Sequence, residues 1–215
     1  MLASAALLPM RGRADALRDA GWTHQEYSGI APARFTALPD GLRLEGQSSG
    51  SFVWRAVQGS AQCLAWRWRV DAGPPGTPLT RRGGDDRAIS LAVGFAGFPP
   101  QASAWQRAQY TIAQARAGAH VLPRSILIYV WGGTGDEPQR FYSPWAAGLG
   151  KVFRLRSASA PNAQWFEERV NLAADWRLAF GAEAPALQEI VIGTDVDDTR
   201  SRIDARVERI RFAAC

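Results

Sequence analysis

The chain has 215 residues, of which 47% are apolar and 21% charged, a balance that supports a full core and excludes a disordered chain. The formal net charge is +5, carried by scattered arginines and the single lysine Lys151, with Asp85-Asp86, Glu167-Glu168 and the run Asp195, Asp197, Asp198 interrupting them, so the charge is not read as a nucleic-acid-binding surface. No apolar stretch is long enough for a membrane-spanning helix, and two cysteines with two histidines are too few for a disulfide framework or a Cys/His zinc centre.

Residues 1–10 resemble the tail of a secretory signal, with Ala3-Ser4-Ala5 as a small-residue cleavage pattern. Residues 1–34 are therefore set apart as an N-terminal segment carrying a trimmed signal remnant, and one folded domain is expected over 35–215. A short helix is predicted within 11–22, stopped by Gly21. From Phe35 onward the pattern turns to short strands: 42–45, a turn cluster over 46–50, then 51–57. Residues 64–70 alternate strictly. Leu64, Trp66, Trp68 and Val70 form a core face, and Ala65, Arg67 and Arg69 an outer face. Cys63 and Cys215 are read as free thiols, with a bridge between them as the alternative in an oxidising compartment.

Residues 71–86 form a long Gly/Pro-rich loop of the kind that carries function. The 88–95 strand puts Ile89, Leu91, Val93 and Phe95 on its core face. Its other face holds only Ala88, Ser90, Ala92 and Gly94, which leaves room for something to lie against it. A helix is predicted over 101–117, with Trp105 as a core anchor. The 125–131 run is apolar throughout, so it is buried on both faces or lines a cleft. Further strands are predicted at 151–156, 165–170, 187–194 and 205–212, with a short helix at 173–180 closed by Gly181. Eight or nine strands with few helices predict an all-β, two-sheet sandwich of jelly-roll type with one or two short inserted helices.

Several segments resemble, in order, a bacterial domain-of-unknown-function family (number 3047): residues 85–95, the Ile128-Tyr129-Val130-Trp131 run, residues 165–176, Phe180-Gly181, and Ile192 to Thr199 with its Thr-Asp-x-Asp-x-Thr pattern. The resemblance implies kinship and export, and no particular chemistry. The C-terminal third is similar, more loosely, to the ending of galactose-binding-like jelly rolls, many of which bind carbohydrate.

The nine tryptophans favour either cores or stacking on flat ligands. Arg67, Arg69, Asp86, Arg87, Ser90, Tyr129 and Trp131 are the candidate ligand-binding residues of a concave sheet face. There, aromatic rings would stack on sugar C–H faces while Arg, Asp and Ser bond hydroxyls. Asp195, Asp197 and Asp198 are hard oxygen donors and the candidate Ca²⁺ ligands, although they lack the EF-hand glycine and distal Glu. Asp86 with Asp195 would supply the carboxylate pair of a glycoside-cleaving enzyme. The expected function is a non-catalytic module that binds carbohydrate or a similar polar small ligand at the cell envelope, periplasmic or secreted. The rivals are that glycosidase and a structural envelope protein without a ligand.

Overall fold

Strict alternation in a strand sends successive side chains to opposite faces, and in this chain it sorts most of the aromatic residues to one side. The computed structural model describes residues 13–215. In chain order the elements are α1 Arg13–Asp19, β1 Thr23–Glu26, β2 Arg34–Leu38, β3 Gly41–Gln47, β4 Gly50–Ala56, β5 Cys63–Ala72 and β6 Arg87–Phe95. They continue with α2 Ala104–Arg116, β7 Ser125–Gly132, β8 Arg140–Tyr142, β9 Gly150–Arg156, β10 Phe166–Asn171, α3 Leu172–Phe180, β11 Leu187–Asp195 and β12 Arg202–Ala213. The twelve strands among the described residues exceed the eight or nine expected, because β1, β2 and the three-residue β8 are too short or too polar to show an alternating pattern.

The strands form two sheets. One has seven strands in the order β1-β4-β11-β6-β7-β9-β8, the other five in the order β10-β5-β12-β3-β2. Ladders between named strands are antiparallel except β7 with β9. The result is the all-β sandwich expected. It also takes in residues before position 35, since β1 pairs with β4 and Trp22 joins the core. Residues 1–12, where the signal-like stretch falls, lie outside the described residues.

The core is dominated by rings from both sheets. Trp66 (2% exposed) and Trp68 (0%) point inward from β5, as their alternation predicts. They meet Tyr129 and Trp131 of β7, with centroid separations of 5.6 Å for Trp66–Tyr129 and 5.9 Å for Trp68–Trp131. The Trp68 indole N–H donates to Glu168 at 3.0 Å, so this buried ring keeps its polar atom satisfied. α3 closes one flank of the sandwich: Trp176 packs on Phe95 and Phe180, and Asp175 accepts a 2.8 Å hydrogen bond from the Tyr129 hydroxyl. Gly181 ends α3 in the left-handed conformation (φ 72°) that a residue with a Cβ adopts at a cost.

Two expectations are corrected here. Cys63 and Cys215 are not free thiols; they form a disulfide that joins the first residue of β5 to the segment following β12, with Cα atoms 5.0 Å apart. α2 does form, with Ser103 and Gln106 making a reciprocal capping box, but none of its residues is buried. Trp105 is 62% exposed rather than a core anchor.

Trp131→Ala should lower unfolding free energy by roughly 3–5 kcal/mol in urea denaturation, because a fully packed indole is lost. Replacing both cysteines with serine should lower it by about 2–5 kcal/mol, as the bridge closes a long loop in the unfolded chain. In each case an unchanged transition midpoint would contradict the packing described.

Candidate ligand-binding cleft

The seven-stranded sheet has an outer face that is unusually bare at its centre. On β6, Ser90 stands opposite Val130 and Gly193, and Ala92 opposite Ile128 and Val191. Residues directly opposite one another share a face, so small side chains line a floor with isoleucine and valine beside them. Ala88 does not belong to it. The ladder shifts between Arg87 and Ile89, and Ala88 joins the core cluster. Gly193 keeps the floor low, because a Cβ there would come within 3.2 Å of the Ser90 hydroxyl.

α2 and the segment 143–149 meet over this floor, where the Gln106 side chain donates to the Ala147 carbonyl at 3.0 Å. Two adjoining hollows of about 580 Å³ and 520 Å³ lie there, both lined by Tyr27, Arg87, Ile126, Ile128 and Trp145, and α2 lines the first but not the second. Volumes of this size suit small organic ligands. Trp105 on α2 lines the first hollow and Trp145 both, and each is well exposed (62% and 59%). The Gly-rich loop is docked on the rim. Arg82 lies over the Trp145 ring at 4.7 Å and donates to the Pro144 carbonyl at 2.8 Å.

Charge is concentrated at one end. One guanidinium nitrogen of Arg87 sits 3.5 Å from Asp85 Oδ2 and 3.5 Å from Asp195 Oδ2, so the two carboxylates lie within twice that distance of each other. Asp85 also accepts a 2.8 Å hydrogen bond from the Trp145 indole. Burial pushes the Asp195 carboxyl up to about 7, with Arg87 offsetting part of the rise and Asp197 adding to it. Burial likewise raises the Tyr27 phenol. At the other end His120 Nε2 lies 2.7 Å from Glu189 Oε2, and its ring stacks on Trp54 with centroids 4.2 Å apart.

Asp86 turns away from this cleft. It is 1% exposed, and its Oδ2 accepts from the Thr199 backbone N–H at 2.8 Å and from the Thr199 hydroxyl. Among the described residues, one carboxylate oxygen each from Asp86, Asp195 and Asp197 lie within 4.8 Å of one another, a grouping able to hold a metal ion.

The structure brings together some of the residues picked from the sequence and separates others. Ser90 and Arg87 line the cleft, as does Asp195. Tyr129 and Trp131 do not: they stand opposite Leu91 and Ile89 and so point into the core. Arg67 and Arg69 are on the other sheet, where Arg67 pairs with Glu208 at 2.6 Å and Arg69 with Asp71 at 2.6 Å. Asp86 lines neither hollow, so Asp86 and Asp195 do not flank a glycoside in the cleft as a catalytic carboxylate pair would. Asp198 is exposed and outside the carboxylate cluster, where Asp86 takes its place. Sequence reasoning misses Trp145 and the His120–Glu189 pair and assigns Trp105 to the core; of the missed residues, Trp145 leaves a signal in composition alone.

A family model for a protein of unknown function (DUF3047) matches residues 20–211. The chain belongs to that family. No curated protein matches it in sequence. In this DUF3047 domain the segments 85–87 and 195–199, far apart in sequence, meet at the acidic end of the cleft through the Arg87–Asp195 and Asp86–Thr199 contacts.

Arg87→Met should cost about 3–5 kcal/mol in chemical denaturation, since Asp85 and Asp195 lose their shared partner while staying buried. Thr199→Val should cost about 1–3 kcal/mol by leaving Asp86 with no side-chain donor. Stabilities within error of wild type would refute this account of the ion cluster.

Proposed function

We propose that the domain is a non-catalytic module that binds a carbohydrate or a comparable polar ligand with an apolar face, in the cleft over the seven-stranded sheet. The observation that carries the reading is the pair of exposed tryptophans, Trp105 and Trp145, bordering an apolar floor of Ser90, Ala92, Ile128 and Gly193. Sugars present C–H faces to such rings and hydroxyls to charged groups. Asp85, Arg87 and Asp195 supply those charged groups at one end, and His120 with Glu189 at the other. Arg87 and Asp195 are held in place by one another, so little rearrangement is needed on binding. A placement in the periplasm or outside the cell fits the Cys63–Cys215 bridge, because disulfides persist in oxidising compartments.

A glycan screen read by thermal melting tests the proposal. A bound sugar should raise the melting temperature with micromolar to millimolar affinity, as expected of a shallow, partly solvated site. Trp105→Ala should weaken that binding about tenfold while leaving the melting temperature of the free protein unchanged, because the side chain stands clear of the core. If no glycan shifts the wild-type melt, or if Trp105→Ala binds like wild type, the proposal fails.

A further inference from the structure

We propose that Asp86, Asp195 and Asp197 form a divalent-cation site that takes Ca²⁺, at the acidic end of the cleft. The three carboxylates come from two separate segments, one at the end of the long Gly-rich loop and one at the turn between β11 and β12. An oxygen from each lies within 4.8 Å of the others. Oxygens on one Ca²⁺ sit about 2.3–2.6 Å from the ion, so they span up to about 5 Å across it. Mg²⁺ demands near-ideal octahedral geometry and gives up its water reluctantly, so three carboxylates from a loop and a turn suit the more adaptable Ca²⁺ shell better.

Carboxylates gathered together are common without an ion, and here a second observation separates a site from a crowd. Asp86 is almost completely buried, its Oδ2 is committed to Thr199, and its Oδ1 is buried with no hydrogen-bond donor. The Asp195 Oδ1 is also buried and without a donor. A buried polar atom left unsatisfied costs free energy, most of all on a charged group. The neighbouring cation does not answer it. Arg87 contacts Asp85 and Asp195, and among the described residues no arginine or lysine nitrogen forms an ion pair with Asp86 or Asp197. An oxygen-seeking cation supplies what both orphan oxygens lack. It would also tie the Gly-rich loop to the β11–β12 turn. The inference does not depend on what fills the cleft.

Calcium titration of chelator-treated protein, followed by calorimetry and thermal melting, tests it. Wild type should bind one equivalent of Ca²⁺ and melt roughly 5 °C or more higher at saturation, with Mg²⁺ binding more weakly. Asp197→Asn, at a half-buried position that tolerates an isosteric change, should weaken Ca²⁺ binding at least about tenfold. Asp198→Asn, exposed and outside the cluster, should bind like wild type. The proposal is overturned if Ca²⁺ gives neither heat nor a melting shift at millimolar concentration. It is also overturned if Asp197→Asn binds as wild type does, or if Asp198→Asn loses as much affinity as Asp197→Asn.

Discussion

The central strands β6 and β7 are covered on both faces, and the remainder of the architecture follows from how they meet that constraint. Inward, they present Ile89, Leu91, Val93, Tyr129 and Trp131 to the rings of β5, a packing that closes the sandwich. Outward, they present Ser90, Ala92, Ile126 and Ile128, which are too small or too few to close anything. α2 stands over that second face without burying a single residue of its own. The space between is the cleft. The same pleat that gives the domain its core leaves it a hollow.

Electrostatics organises the end of that hollow. The chain is basic as a whole, yet Asp85, Asp86 and Asp195 surround Arg87 with Asp197 beside them, and the nearby Asp198 carboxyl is pushed up first by desolvation and then by Asp197, Asp86 and Asp85. A summed charge of +5 describes behaviour at long range and gives no guide to such a local reversal. Two distant segments meet there because Arg87 reaches the end of β11 and Thr199 reaches Asp86.

Much of this was legible in the residues, and what was not had a physical cause. Trp66 and Trp68 declared their facing because Arg67 and Arg69 alternate with them and must stay in water. The bare face of β6 declared itself by the absence of bulk. The 125–131 run could not declare which side was which. Its isoleucines and valine on one face are as apolar as Leu127, Tyr129 and Trp131 on the other, and only the register Tyr129 with Leu91 decides. Trp105 misled for a related reason: helical spacing marks an apolar stripe, but whether the stripe meets a packed core or an open cavity depends on how far the helix stands from the sheet. Asp85 and Asp86 are neighbours in sequence with opposite fates, one on the cleft wall and one beneath it.

The strand order has a consequence for how the chain is made. β11 lies between β4 and β6, and β12 lies between β5 and β3, so the last two strands are interior members of both sheets. Until residues 187–213 have left the ribosome, β4, β6, β5 and β3 each have an unpaired edge, and neither half of the sandwich has its centre. Nearly all of the chain must therefore be synthesised before cooperative folding can begin, and its contacts are long-range, which makes that folding slow. A chain that stays unfolded for so long requires protection of its open strand edges until β11 and β12 arrive.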